Sequence, residues 1–452
     1  MPEIAYQSVN PATGEVLDRF DTATDAEVQD ALTAATEAAA AWAARPMAER
    51  VAIVHEVARL FGERADELAE IARREMGKPL SEGVEEAEFC QGIFGYYATH
   101  GPDFTADQPI PAPDGGRAVI QRRPLGAILG IMPWNFPYYQ VARFAAPNLV
   151  LGNVVLVKHA ESVPASALAI VQVLADAGVP EGVYQNLFAD HDQIATMIAD
   201  PRIAGVSLTG SERAGAAVAS LAGQHLKKCV LELGGSDPMV VLDTDDLPGL
   251  VDAAWDFRVY NTGQACNSNK RIIALDDVFD DLVAGLAAKA QALGPDDLSP
   301  LSSRAAAETL DAQVQDAVAK GATLHAGGVL GEAPTAFYSP AVLTGVTPDM
   351  RAYHEELFGP VAVVYRVSSD DDALALANDT PYGLGGSVFA RDTARAQAVA
   401  ERLSVGMSNV NTIAGEGPEI PFGGVKRSGF GRELGPLGMD EFANKRLLYV
   451  AD

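Results

Sequence analysis

Between Val154 and Gly223, short apolar runs alternate with helical segments, and nothing else in the chain constrains its fold as tightly. "NVVLVK" precedes "ASALAIVQVLADAG", "GVYQNLF" precedes "DQIATMIAD", and "AGVSLTG" precedes "SERAGAAVASLAG". Strands separated by helices of this length predict right-handed βαβ units around a parallel sheet covered on both faces. A second set follows: "KKCVLELGG", "PMVVLD", the helical "LVDAAWDFRVY", "KRIIAL" and the helical "VFDDLVAGLAAKAQAL", then "VAVVYRV", "GSVFAR" and "GMSNVN". This predicts a second α/β domain, entered near Gly234-Gly235. Upstream, apolar residues at spacings of three and four predict helix from Asp25 to Lys78, stopping near Gly77 with Pro79 just beyond. "RAVIQRR" and the distant "KRLLYV" read as strands able to pair. No internal repeat is present.

A length of 452 residues leaves room for two or three domains. The net charge of −28 argues against a nucleic-acid partner, whose recognition needs a basic surface. Such acidity fits a heavily hydrated surface, whether from a host with high internal salt or from compositional bias. No apolar run approaches the length of a membrane span, and the first residues lack the pattern of a signal peptide. Cys90, Cys229 and Cys266 stand far apart without a CxxC, so neither a disulfide framework nor a thiolate metal site is expected. The expectation is a cytoplasmic protein with no metal, membrane or nucleic-acid partner.

Several stretches carry chemistry. "VYNTGQACNSNKRIIAL" places Cys266 in a polar, glycine-bent segment, whereas Cys229 sits in an apolar run. A thiol needs access and a favourable field to act as a nucleophile, so Cys266 is the candidate. "LELGGSDP" puts Glu232 in an apolar run, where burial would raise its pKa towards the range of a general base; the alternative is an edge glutamate facing water. "PWNFP" holds Trp134-Asn135 between prolines, where the amide is either a turn group or a donor to a developing oxyanion. "VVLVKHAE" ends a strand with Lys158 and Glu161, at the edge where doubly wound sheets bind ligands. A glutamate there would accept from ribose hydroxyls and repel a 2′-phosphate, favouring NAD over NADP; the alternative is a solvent ion pair. "SLTGSERAG" runs a strand through Gly210-Ser211 into a helix, which is either an ordinary turn or a pyrophosphate site. "SGFGRELG" has the look of a dinucleotide loop but follows no strand, and is set aside.

Taken in order, "PWNFP", "VVLVKHAE", "LTGS", "LELGGSDP", "NTGQAC", "EELFGPV" and "PFGGVKRSGFGRELG" resemble the NAD(P)-dependent aldehyde dehydrogenase superfamily over essentially the whole chain. "KHAE", "KKCVLELGGSDP" and "NTGQAC…KR" look closest to its succinate-semialdehyde branch. The resemblance implies an α/β fold with a Rossmann-like cofactor domain (1–105, 125–231 and 413–429), a catalytic domain (232–412) and a small β extension (106–124 and 430–452) that builds homodimers or homotetramers. It implies that Cys266 attacks the aldehyde, that Asn135 and the Cys266 backbone N–H stabilise the oxyanion, and that Glu232 activates water against the thioester. Lys158 and Glu161 would hold the adenosine ribose of NAD, with NADP possible. Gly210 and Ser211 would lie at the pyrophosphate. Trp134, Leu233, Glu356 and Phe358 would lie at the nicotinamide half.

Arg143 matches an arginine that semialdehyde dehydrogenases use against the substrate's distal carboxylate, a task that suits a guanidinium. Two further anchors of some succinate-semialdehyde enzymes are replaced, by Tyr260 and Glu416, and the polar "CNSNKR" suggests an altered pocket wall. The leading expectation is oxidation of succinate semialdehyde; the alternatives are a broad aliphatic or aromatic aldehyde dehydrogenase and a non-catalytic cofactor-binding or structural protein. A CoA-acylating enzyme fits less well, because Glu232 supplies a hydrolytic base.

Overall fold

Helical spacing from Asp25 to Lys78 resolves, in a computed structural model describing residues 6–294 and 297–451, into three helices. They span Asp25–Ala44, Met47–Glu63 and Ala65–Met76. The first opens on a capping box, with Thr24 Oγ1 accepting from the Glu27 amide at 3.2 Å and the Glu27 carboxylate accepting from the Thr24 amide at 2.7 Å. Pro46 separates the first two, because a proline cannot donate to the preceding turn. Gly77, at φ +80°, ends the third in the left-handed conformation that glycine adopts without a Cβ clash. A fourth helix, Leu80–Phe104, was not anticipated from the sequence and packs along the second and third.

The predicted parallel sheet is present. Its strand order is Gly429–Phe430, Lys228–Glu232, Ile203–Thr209, Ala127–Ile131, Val154–Lys158 and Tyr184–Asn186. All pairs are parallel except that of Gly429–Phe430 with Lys228–Glu232. Val154–Lys158 is buried at every position, as expected of a strand covered on both faces. From Ala127–Ile131 the chain winds outward on one side, then returns to lay Ile203–Thr209 on the other. The crevice at the carboxyl ends of those two strands is the topological switch point, where such sheets take ligands. Asn135 and Gly210-Ser211 follow these strands, and Glu232 ends the next one.

Five residues, Leu233 to Asp237, carry the chain into a seven-stranded sheet. Its order is Thr323–Ala326, Ala341–Thr344, Val361–Val367, Arg271–Leu275, Pro238–Val241, Gly385–Phe389 and Met407–Val410, parallel throughout except for the first pair. The chain then crosses back: Gly429–Phe430 joins the first sheet, and Ala443–Val450 pairs antiparallel with Arg117–Pro124. Leu447 faces Ile120 and Tyr449 faces Ala118 in this register, so the pairing of "RAVIQRR" with "KRLLYV" is realised. Gln108–Ile110 completes that three-stranded sheet, leaving Ala443–Val450 at an edge with Leu447, Tyr449 and Val450 exposed. Among the described residues no helix is long and apolar enough to cross a membrane. Nor do three or more possible metal-ligating side chains cluster among them.

Candidate active site

Three successive residues before Cys266 have positive φ: Asn261 at +51°, Thr262 at +54° and Gly263 at +75°. For a β-branched residue this conformation is strained, at about 1–3 kcal/mol, and it persists only where surroundings enforce it. They do so here from four directions. The Asn261 amide donates to the Glu82 carboxylate at 2.7 Å. The Asn261 side chain donates to the Asn135 carbonyl at 2.8 Å, and Asn135 Nδ2 donates to the Gln264 carbonyl at 3.0 Å. Lys270 Nζ donates to the carbonyls of Ala265 at 2.7 Å and Cys266 at 2.9 Å. Arg258, fully buried, donates to Ser268 Oγ at 2.9 Å and to the carbonyls of Val361 at 2.7 Å and Leu357 at 2.8 Å. At Gly263 a Cβ would lie 2.4 Å from Gly359, so only glycine fits.

The loop so held sets Cys266, half-buried, in the wall of a cavity of about 480 Å³. Burial pushes its thiol up to about 12, although Arg143 and Lys270 both pull the other way. The favourable field expected for a nucleophile is thus present but outweighed by desolvation. Asn135 is 5% exposed and its amide joins the Cys266 loop through Gln264. Glu232 is buried, with no partner on either carboxylate oxygen among the described residues. Burial holds its carboxyl well above the usual range, against the pull of Arg143 and with Glu433 adding to the rise. At Gly423 (φ +150°) a Cβ would approach Glu232 Oε1 to 2.7 Å, so the glycine-rich tail leaves this carboxylate its space.

On the other side, Glu356 accepts from the Gly235 amide at 3.1 Å and pairs with Lys270 at 3.2 Å. A Cβ at Gly234 would lie 2.3 Å from Glu356 Oε2. Phe358 meets Trp134 edge to face at 5.7 Å. Leu233 donates its amide to the Ser428 carbonyl at 3.0 Å and packs where Gly215 leaves room. At the far end of the crevice, Lys158 is ion-paired with Glu161, and His191 lies 3.9 Å from the same carboxylate. Burial raises the Glu161 carboxyl, yet Lys158 wins and holds it below its ordinary value. Ser211 caps the helix Glu212–Gln224, accepting from the Ala214 amide at 3.3 Å beside Gly210. A helix start at the switch point, a lysine–glutamate pair with one donor and one acceptor at the strand end, and glycines beside Glu356 together fit a dinucleotide.

The aldehyde dehydrogenase family profile matches residues 2–448. The chain belongs to the aldehyde dehydrogenase family. It is 54% identical to the succinate-semialdehyde dehydrogenase [NADP(+)] of Deinococcus radiodurans, over 99% of this chain and 95% of that one. It is 41% identical to the protein so named from Mycobacterium avium, over 98% of this chain and 96% of the other. Among solved structures, that of Gox0499, from work on cofactor and substrate selection, superimposes with a TM-score of 0.96 at 45% identity, covering 99% and 100% of the two chains. The succinic semialdehyde dehydrogenase of Streptococcus pyogenes in complex with NADP+ does so at 0.95 and 40%, with the same coverage. This aldehyde dehydrogenase is therefore an enzyme of NAD(P)-dependent aldehyde oxidation.

In this aldehyde dehydrogenase Arg143 does not line the cavity. It is fully buried behind Tyr139 and Phe422, over whose rings its guanidinium sits at 4.8 and 4.3 Å, and it is ion-paired with Glu433. Its charge is thus committed to a carboxylate from "GRELG", the stretch set aside in the sequence. The polar run after Cys266 also differs from expectation: only Asn267 reaches the cavity, while Ser268, Asn269, Lys270 and Arg271 are buried. Tyr260 does line it, stacked on Phe136 at 6.0 Å, and Glu416 stands at its rim. Glu82, Arg258 and Lys270 were missed, because their partners lie in distant segments. The one signal was the polarity of a run leading into a buried strand, where charges need partners.

Proposed function

We propose that this enzyme oxidises succinate semialdehyde to succinate through a covalent bond to Cys266. The observation that carries the reading is Cys266, the one thiol among the described residues lining the cavity, on a strained loop that is hydrogen-bonded to Asn135. The substrate is supported by relatives of that name at 41% and 54% identity. Cys266 gives its thiol proton to solvent water as Sγ adds to the aldehyde carbon, and the Asn135 amide, with its second N–H, and the Cys266 backbone N–H donate to the oxyanion. A bound nicotinamide dinucleotide supplies the hydride acceptor. Glu232 then takes a proton from water as it attacks the thioester, releasing the acid. Glu356, Phe358, Trp134 and Leu233 hold the nicotinamide half; Lys158, Glu161, Gly210 and Ser211 hold the adenosine and pyrophosphate. The six-stranded sheet is the core of the cofactor domain and the seven-stranded sheet that of the catalytic domain. The open edge at Ala443–Val450 is the face through which subunits associate.

Formation of reduced dinucleotide with succinate semialdehyde tests this reading directly. Absence of turnover with that aldehyde and with uncharged aldehydes of similar length would remove it. A broader aldehyde range is favoured by Arg143, which is withdrawn from the cavity.

The cofactor reading favours NAD, although the relatives are named for NADP(+). A 2′-phosphate placed beside Glu161 would meet a carboxylate kept charged by Lys158. Glu161→Ser should shift the ratio of kcat/KM for NADP over NAD upward by about tenfold or more, the equivalent of about 1.4 kcal/mol. An unchanged ratio would take coenzyme choice away from this residue.

A further inference from the structure

One helix reaches both halves of the reacting geometry. Leu80–Phe104 begins after Pro79 and carries Glu82 and Glu86 one turn apart, each bonded to a segment remote in sequence. Glu86, 3% exposed, accepts from the Tyr138 and Tyr139 amides at 2.8 and 2.9 Å and pairs with Lys78 at 2.6 Å. Those amides open the helix Tyr139–Leu151, and the first N–H groups of a helix have no acceptor within it. The chain is thereby fixed three residues after Asn135. Glu82, half-buried, accepts from the Asn261 amide at 2.7 Å, five residues before Cys266.

The two segments also grip each other. Phe136 and Tyr260, the chain neighbours of Asn135 and Asn261, stack at 6.0 Å, and Lys78 Nζ lies 3.7 Å from the Phe136 ring centroid. Asn261 Nδ2 donates to the Asn135 carbonyl at 2.8 Å and to the Gln264 carbonyl at 3.3 Å; the latter also accepts from the Asn135 side chain. Asn261 thus joins the proposed oxyanion donor to the loop of the sulfur. Its φ of +51° lasts only while the surroundings enforce it, and Glu82 holds its amide. The helix that carries Glu82 has no slack: a Cβ at Gly83 would stand 2.8 Å from Ala69 Cβ on the helix Ala65–Met76.

We propose that Glu82 is a positioning residue for aldehyde oxidation: from a helix locked by Gly83 and Glu86 it holds the Asn261 turn, and so sets where the Asn135 amide stands relative to the Cys266 sulfur. This rests on the reading of Cys266 as nucleophile and Asn135 as oxyanion donor. Glu82 itself does not line the cavity. Without it the turn relaxes, and a misplacement of about 1 Å at the reacting atoms costs about 10²-fold in rate. Alkylation of the same sulfur by iodoacetamide forms no oxyanion, so it is spared.

Steady-state kinetics of the whole enzyme with succinate semialdehyde and with propanal test the proposal. Glu82→Ala should lower kcat/KM for both by about 10- to 100-fold, while dinucleotide affinity and the rate of Cys266 alkylation match the parent. Glu82→Gln, whose carboxamide oxygen still accepts from Asn261, should recover most of the loss. Should the alanine variant not fold, Glu82→Asp keeps the charge, withdraws the acceptor by one methylene and should show the same selective loss. Asn135→Ala should cost about 10²–10³, and adding Glu82→Ala to it should cost little more, because both act through one amide. Parent kcat/KM in Glu82→Ala, a loss shared equally by alkylation, or costs that multiply in the double variant would each overturn the proposal, while a loss in Asn135→Ala keeps the oxyanion reading. Parent activity in Asn135→Ala would remove that reading and this proposal with it.

Discussion

Replacing Cys266 by alanine is expected to abolish aldehyde oxidation while leaving the fold and dinucleotide binding in place. Among the described residues the sulfur is the one group in the cavity wall able to form a covalent bond with an aldehyde and then release it to water, so no neighbour substitutes for it. Loss of a nucleophile of this kind costs on the order of 10⁴ to 10⁶ in rate. The loop should survive, because its shape is held by Asn135, Lys270 and Arg258 through backbone carbonyls and not by the thiol. Circular dichroism and dinucleotide titration would therefore match the parent while reduced dinucleotide fails to accumulate. Full activity in the alanine variant would end the covalent account.

Replacing Glu232 by glutamine should separate the two halves of the reaction. Sulfur addition and hydride loss do not need the carboxylate, so a rapid burst of reduced dinucleotide matching the number of sites is expected. Turnover after the burst should fall by about 10²–10⁴, the usual contribution of a general base. The pH dependence carries a definite sign. Because burial raises the Glu232 carboxyl well above the ordinary range, the proton stays on at acidic pH and the base form appears only as pH climbs through that raised value. Steady-state turnover of the parent should accordingly rise with pH, and the variant should lose that rise. A variant with no burst and unchanged turnover would assign hydrolysis to another group.

How much of this could be read from the amino acids alone divides by distance along the chain. The central strands Val154–Lys158, Ile203–Thr209 and Val361–Val367 are local signals: five to seven mostly apolar residues, buried at nearly every position, whereas the short strands Thr323–Ala326, Ala341–Thr344 and Gly429–Phe430 gave no such signal. Cys266 stood out because its neighbours are polar, and it does reach a cavity. What escaped notice depends on encounters between remote segments. Arg143 looks available in "YYQVAR", yet Glu433, 290 positions later, occupies it. Lys270 looks like a surface lysine in "NSNKR" and instead sits beneath the Cys266 carbonyl, against Glu356. Glu82 and Glu86 lie in a helix whose pattern suggests only a solvated face, but Glu82 accepts from Asn261 and Glu86 from the amides that open the helix Tyr139–Leu151. A buried charge declares itself only together with its counterpart, and periodicity carries no record of that.

The return of the tail has a consequence for how the protein comes into being. Gly429 pairs with Glu232, the Ser428 hydroxyl donates to the Gly234 carbonyl at 2.7 Å, and Glu433 neutralises Arg143. A ribosome that has delivered 400 residues has made Asn135, Glu232, Cys266 and Glu356, but none of these struts. The surroundings of Glu232 and Arg143 are therefore completed only when the last few dozen residues emerge and fold back. Clipping near the carboxyl end would remove the carboxylate that balances Arg143 and the strand that pairs with Glu232.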